Sequence, residues 1–154
     1  MWRVSRVFRF AESSPPSNRL LLTLGSPRES VFLRKPVDSV TVPGAEGYFT
    51  LTHNHSLTVA MLKPGVVTVR DGAKIEEFFL SDGFVFFNNG SKAEDTCSTA
   101  EVAAIELVPL NALDKEKAAQ LLAEINAQPK EGDWQKVRAQ LASNLLGQVI
   151  KFAQ

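Results

Sequence analysis

Apolar and polar residues alternate over short stretches along the first two thirds of the chain, and turn-forming residues separate these stretches. Alternation with a period of two residues is typical of β-strands that bury one face. The breaks recur roughly every 8–12 residues, which is typical of a sandwich or a barrel. The stretch 40–69 contains several short strands joined by Gly and Pro turns, and Asp71-Gly72 predicts a hairpin. The predicted strand segments are 20–24, 30–34, 37–42, 66–69, 76–80, 84–87 and 99–107.

The pattern changes to a helical one in the last third of the chain. Segment 114–125 carries apolar residues at helical spacing, and either Asp114 or Asn111 can cap its start. Segment 128–132 breaks this helix, and apolar residues at near-heptad spacing predict a second helix over 134–152. Two amphipathic helices with a short break between them predict an antiparallel hairpin.

These patterns together predict an α+β protein, in which an N-terminal antiparallel β-sandwich precedes a C-terminal antiparallel two-helix hairpin. The predicted boundaries are a basic N-terminal arm with a Pro/Ser linker at 1–18, the sandwich at 19–108 and the hairpin at 109–154. The phenylalanine-rich segments at 78–79 and 84–87 predict core residues plus an apolar outer patch, part of it in an interface.

The N-terminal arm differs in composition from the rest of the chain. Arg3, Arg6 and Arg9 alternate with apolar residues, and no acidic residue precedes Glu12. This composition is typical of an organelle transit segment, although it also suits a retained basic arm. The sequence leaves open whether residues 1–18 are cleaved.

Composition excludes several other classes of protein. The 154 residues include 17 basic and 17 acidic side chains, for a net charge of +0, so no overall basic field would hold a nucleic acid. Apolar runs are strand-sized, which predicts no direct membrane insertion. Cys97 is the only cysteine, so an internal disulfide is impossible. The chain has neither a Gly-x-Ser-x-Gly elbow nor a phosphate-binding loop, and we predict a protein without catalytic residues.

The sharpest candidate for chemistry is the pair His53 and His55. Residues two apart on a strand point to the same side, so this pair could hold a metal ion. With Gly47 upstream it resembles the first motif of cupins, which are metal-binding β-barrels. Val59 and Ala60 stand where that motif needs a glutamate, and the chain has no third histidine. We therefore predict no metal and no cofactor, and a cupin-like metal protein is the more remote alternative.

Four motifs follow one another in a characteristic order. They are Gly44-Ala-Glu-Gly47-Tyr-Phe49 with His55 after it, then Met61-Leu-Lys-Pro-Gly65, Phe79-Leu-Ser-Asp-Gly83 and Leu113-Asp114. Their order and spacing resemble the central-stalk subunit of F-type ATP synthases, called delta in mitochondria and epsilon in bacteria and chloroplasts. The resemblance covers about residues 19 to 154.

The resemblance implies a non-catalytic rotor subunit that couples rotation of the c-ring to the gamma subunit. It implies a loop facing the c-ring, formed by Gly44, Ala45, Glu46, Gly47, Tyr48 and Phe49. It implies family-motif turns that carry His55, Pro64, Gly65, Ser81 and Gly83. The residues implied for hairpin packing or contact with gamma are Leu113, Asp114, Leu121, Trp134, Leu141 and Leu145.

The implied partners are gamma, the c-ring and the small mitochondrial epsilon subunit, on the matrix side of the mitochondrial inner membrane. The arginine-rich start favours this mitochondrial branch. The alternative is a bacterial or chloroplast-type epsilon regulator, which inhibits ATP hydrolysis through its C-terminal helices. Some bacterial members bind ATP through an arginine where Lys117 stands here, and lysine lacks the bidentate fork. The helix face that contacts gamma is left open.

Overall fold

The computed structural model describes residues 19–90, 97–129 and 131–153, so the predicted arm at 1–18 lies outside the described residues. Among them, no helix is long and apolar enough to cross a membrane. The strands are β1 Leu20–Gly25, β2 Ser30–Val37, β3 Ser39–Gly44, β4 Gly47–Thr52, β5 Thr58–Leu62, β6 Gly65–Asp71, β7 Lys74–Leu80, β8 Gly83–Asn88, β9 Ser98–Ala104 and β10 Leu107–Pro109. After a short 3₁₀ turn, Leu110–Ala112, come the helices α1 Lys115–Ala127 and α2 Asp133–Phe152.

Hydrogen bonds join the strands into one continuous sheet, which folds into two layers. One layer runs β4-β3-β6-β7-β10 and the other runs β5-β8-β9-β1-β2. The two layers share a corner at β3, which pairs with β6 over residues 39–41 and then with β5 where Gly44 lies opposite Leu62. The α+β class, a sandwich followed by two helices, is thereby confirmed.

Three details of the strands differ from the prediction. β1 and β9 run parallel, because strands that are distant in sequence are free of the antiparallel constraint of a hairpin. β2 continues through Pro36, which is tolerated because β2 is the edge strand of its layer and needs hydrogen bonds on one side only. The predicted segment 99–107 is divided between β9 and β10 by a bend at residues 105–106.

The core lies between the two layers, and alternate residues of each strand supply it. On β1 the side chains of Leu20, Leu22 and Leu24 are fully buried, and on β3 those of Val40 and Val42 are. Dense packing of this kind makes a body that resists deformation.

The side of the sandwich away from β3 is closed by side chains of β2 and β7. The rings of Phe32 and Phe78 meet edge to face, with their centroids 5.6 Å apart. Beside them the Lys35 ammonium lies 2.7 Å from the Glu76 carboxylate, which Lys74 also contacts at 2.6 Å. The hydrogen bonds from Lys35 and Lys74 hold the pKa of the Glu76 carboxyl below its usual value of 4.5.

We expect Glu76→Gln to lower the free energy of unfolding at neutral pH by about 1 kcal/mol, because two partly exposed lysines lose their counter-ion. The pKa of Glu76 is lower in the folded chain than in the unfolded chain. The ion pair therefore stabilises the fold fully above pH 4.5, and this stabilisation is lost as the pH falls through the depressed pKa. Urea unfolding of both proteins at pH 7 and in strong acid measures the difference, which should shrink in acid. Glu77→Gln, on the exposed face of the same strand, is the control, and a difference that grows in acid would contradict the assignment.

The first helix of the hairpin begins at the cap that the sequence predicts, and the hairpin docks on the sandwich. The Asp114 carboxylate accepts a hydrogen bond from the Lys117 backbone N–H at 3.0 Å and caps α1, and this bond lowers the pKa of Asp114. α2 contacts β6. Val66 and Phe79 lie opposite each other on the outer face of their layer and are nonetheless buried, because the hairpin covers that face.

Candidate interaction surfaces

The predicted c-ring-facing loop lies at one end of the sandwich, beside the turn between β5 and β6. The Ala45 N–H donates to the Met61 carbonyl at 3.0 Å, and the Lys63 N–H donates to the Pro43 carbonyl at 2.9 Å. Leu62 is paired with Gly83, which brings the β7–β8 turn to the same end. We call residues 44–48, 63–65 and 81–83 the turn cluster. The structure thus brings the ring-facing loop together with the family-motif turns at Pro64, Gly65, Ser81 and Gly83.

Within the predicted ring-facing loop, the residues differ in how far their side chains are exposed. Phe49 packs against the core, and Gly44 is buried beneath its ring, where a Cβ would lie 2.6 Å from the Phe49 Cε1 atom. Tyr48 is exposed, but its hydroxyl turns back and accepts a hydrogen bond from the Val66 N–H at 3.2 Å. The exposed surface of the loop is therefore formed by Glu46, Gly47 and the Tyr48 side chain, with Ala45 half-buried beside them.

Ser81 and Gly83 shape the turn cluster from within. The Ser81 hydroxyl accepts a hydrogen bond from the Glu106 N–H at 3.2 Å, and the Ser81 N–H donates to the Glu106 carbonyl at 3.2 Å. A Cβ on Gly83 would lie 2.3 Å from the Ala103 carbonyl oxygen, so only glycine allows β8 and β9 to approach this closely.

His55 lies at the opposite end of the sandwich, in a turn rather than on a strand. Asn54, between the two histidines, has φ 61°, which is a left-handed and not an extended conformation. The expectation that His53 and His55 share one side of a strand is therefore wrong. The Ser98 hydroxyl donates its hydrogen to Asn89 Oδ1 at 2.8 Å. His53 Nδ1 lies 3.3 Å from the Ser98 hydroxyl oxygen and is therefore the donor to that oxygen. Across residues 19–90, 97–129 and 131–153, no group of three potential metal ligands occurs.

A groove of about 910 Å³ separates α2 from the turn cluster. On the helix side, apolar and polar residues follow one another at spacings of three and four, namely Arg138, Leu141, Leu145, Gln148 and Phe152. The opposite wall consists of Pro43, Gly44, Ala45, Glu46, Gly47, Tyr48, Lys63, Pro64 and Asp82. We call this feature the hairpin groove. Leu141 and Leu145 therefore lie opposite the predicted ring-facing loop. The family resemblance implied contacts with gamma or within the hairpin for these two leucines.

The other predicted hairpin residues have different positions. Leu113 is half-buried before α1, and Leu121 lines the contact between the two helices. Trp134, in the first turn of α2, is 77% exposed and contributes little packing within this chain. A tryptophan in this position is typical of a residue that meets a partner.

The outward face of β5 and β8 is apolar, and it is the patch that the phenylalanine-rich segments predicted. Val59 lies opposite Phe86 and Met61 opposite Phe84. The four side chains are 66%, 45%, 55% and 50% exposed in that order, and the two phenyl rings stack at 6.5 Å. We call Val59, Met61, Phe84 and Phe86 the outer apolar face. A contiguous apolar patch of this kind marks an interaction site.

The contribution of β5 to this face was not predicted from the sequence. Val59 and Met61 nonetheless alternate with buried or half-buried residues, and this alternation was the signal that could have revealed it.

The comparison with known families decides between the interpretations left open by the sequence. A family model described as the β-sandwich domain of the ATP synthase delta/epsilon chain matches residues 20–92. The delta subunit of the mitochondrial ATP synthase of Saccharomyces cerevisiae is 33% identical over 124 residues, which cover 80% of this chain and 73% of that protein. The chain belongs to the ATP synthase delta/epsilon family.

Two further relatives of this chain are also mitochondrial delta-type subunits. The subunit from Dictyostelium discoideum is 35% identical over 117 residues, covering 75% of this chain and 65% of the relative. A delta' subunit from Pisum sativum is 34% identical over 112 residues, covering 70% of this chain and 53% of the relative. The chain thus spans between about half and two thirds of the length of these two proteins. An epsilon chain from Leptospira interrogans matches 49% of this chain. These matches do not favour the bacterial-type regulator or the cupin-like alternative.

Solved structures agree with this family membership. A chain in the cryo-EM structure of the Euglena gracilis mitochondrial ATP synthase, with OSCP, F1 and the c-ring, superposes with a TM-score of 0.74 at 25% identity. The match covers 92% of this chain and 84% of that one. A chain of the Tetrahymena thermophila central stalk and c-ring shares the fold, with a TM-score of 0.62 at 16% identity.

Proposed function

We propose that this delta/epsilon family member is a non-catalytic rotor subunit of a mitochondrial F-type ATP synthase, on the matrix side of the inner membrane. It couples rotation of the c-ring to gamma during proton-driven ATP synthesis. The observation that carries the proposal is the match over most of the chain to mitochondrial delta subunits and to a chain solved within a synthase that includes its c-ring. A connector of this kind needs a stiff body and adhesive faces, and it needs no active site of its own.

The turn cluster is the surface that we assign to the c-ring. Glu46 and Gly47 are exposed at its tip, and hydrogen bonds of the half-buried Ala45 fasten the loop to the neighbouring turn. A polar tip on a rigid base suits contact with the polar loops of a ring of membrane subunits.

The outer apolar face is the surface that we assign to gamma. It is contiguous, it belongs to the rigid sheet, and the hairpin covers the other layer instead. Burying two half-exposed phenyl rings provides a strong non-directional attraction, and aromatic residues are enriched at the centres of interfaces.

The hairpin groove is the surface that we assign to the small epsilon subunit. The α2 residues at 138, 141, 145, 148 and 152 alternate spacings of three and four, which is the seam that a second helix packs against. The turn cluster forms the opposite wall, so a small partner in the groove would contact both parts of this chain.

Affinity purification of a tagged copy from detergent-solubilised mitochondrial membranes, followed by mass spectrometry, tests the rotor assignment. We expect the alpha, beta, gamma and c subunits to be recovered with the tagged chain, together with a small epsilon subunit. Recovery of the chain without gamma and c would overturn the proposal.

A further inference from the structure

The two neighbouring turns of the turn cluster are fastened to each other by several hydrogen bonds. Besides the two backbone bonds at Ala45 and Lys63, the Lys63 ammonium donates to the Ala45 carbonyl. On the other flank the Tyr48 hydroxyl accepts the Val66 N–H. The tip of the loop, with Ala45 half-buried and Glu46 exposed, is therefore bonded on one side to the β5–β6 turn and on the other side to β6, whereas an ordinary hairpin tip is free.

The position of the Tyr48 hydroxyl follows from the corner of the sandwich. β3 pairs with β6 only as far as Thr41 opposite Thr68, and then crosses to β5. Val66 lies two residues beyond that last pair, where β6 has no neighbouring strand on this side. Because Val66 is buried, its N–H needs a partner within the protein, and the phenol provides it.

Tyr48 and β6 are closely packed around Gly65. A Cβ at Gly65 would lie 2.7 Å from the Tyr48 hydroxyl oxygen and 2.8 Å from the Pro43 Cβ. The Tyr48 hydroxyl and the Pro43 ring thus both lie close against the backbone of Gly65 at the start of β6. Any displacement of the tip must move β6 with it.

We propose that Tyr48 and Lys63 are positioning residues for rotary coupling, which lock the tip at Ala45–Glu46 to the body of the sandwich. The inference rests on the proposed contact between this tip and the c-ring. A locked tip transmits a sideways force from the ring directly to β6 and the sheet. A loose tip would yield under the same force, so that the ring could advance without an equal advance of gamma.

The test is the coupling of the assembled synthase. In Tyr48→Phe only the hydroxyl is removed, and in Lys63→Met only the ammonium is. We expect both variant subunits to be recovered in the complex in normal amounts, with a smaller proton-pumping signal at equal ATP hydrolysis in membrane vesicles. In the isolated Tyr48→Phe subunit, the Val66 amide should exchange with deuterium about fivefold faster, as expected for one lost neutral hydrogen bond.

Thr50→Val is the matched control. The Thr50 hydroxyl lies on the same strand and the same face as Tyr48 and bonds to the Thr41 hydroxyl at 2.8 Å, away from the tip. Its loss should leave pumping unchanged, and Lys63→Arg should restore the pumping lost in Lys63→Met. Faster exchange at Val66 with unchanged pumping would overturn the positioning role. If Thr50→Val and the Tyr48 and Lys63 variants were all lost from the complex, the cause would be general destabilisation, and this result too would count against the positioning role. Failure of the wild-type chain to join the complex would refute the rotor assignment itself.

Discussion

Replacing Phe84 and Phe86 together by serine is expected to weaken the binding of the subunit to gamma by about thirtyfold. The two rings are 50% and 45% exposed in the free chain, so binding buries roughly half of each. Losing that burial costs about 2 kcal/mol in all, and each 1.4 kcal/mol is about a tenfold change in affinity. Both side chains point away from the core, so the sandwich itself should keep its stability. Titration calorimetry with purified gamma measures the change.

Ile75→Ser is the matched control for this prediction. Ile75 is 53% exposed, as the two phenylalanines are, but it lies on β7 in the other layer. We expect its replacement to leave the affinity for gamma unchanged. Equal binding of gamma by the wild type and by the double variant would show that gamma meets a different face.

Gly83→Ala is expected to destabilise the fold more than any surface substitution. The added methyl carbon would lie 2.3 Å from the Ala103 carbonyl oxygen and 3.0 Å from the Ala104 Cα. Both are backbone atoms, so β8 and β9 must separate to make room. Overpacking against backbone costs about 3 kcal/mol, which lowers the midpoint of thermal unfolding by roughly 10 °C in a chain of this size.

Gly147→Ala provides the contrasting control, because a Cβ at Gly147 meets no atom within 4 Å. Gly147 lies within α2, where alanine favours the helix by about 0.5–1 kcal/mol. Thermal unfolding followed by circular dichroism should therefore show a lower midpoint for Gly83→Ala and an equal or higher one for Gly147→Ala. An unchanged midpoint in Gly83→Ala would mean that β8 and β9 are more loosely paired than the structure has them.

Local patterns were enough to predict most of the elements, because alternation and helical spacing depend only on neighbouring residues. Asp114 as the cap of α1 and Asp71-Gly72 as a hairpin turn are examples, since capping and turn formation are local events. The parallel pairing of β1 and β9 joins segments that are far apart in sequence, and no local pattern encodes it. The same holds for the closing contact between Phe32 and Phe78.

The candidate surfaces, too, could be predicted only where they depend on local patterns. The alternation of Phe84 and Phe86 with buried residues predicts an outer patch, but its extension to Val59 and Met61 depends on the register between β5 and β8. Phe49 packs against the core above Gly44, a contact that the motif by itself does not encode. Likewise, the hairpin groove depends on where α2 docks, which the spacing of its apolar residues leaves undetermined.

The most direct test of the central claim is photo-crosslinking in the intact synthase from two positions on this chain. A photoreactive amino acid at position 46 samples the turn cluster, and one at position 86 samples the outer apolar face. The rotor assignment predicts that position 46 crosslinks to subunit c and position 86 to gamma, in the same purified complex. Crosslinks from both positions to stationary peripheral subunits, with neither c nor gamma labelled, would contradict it.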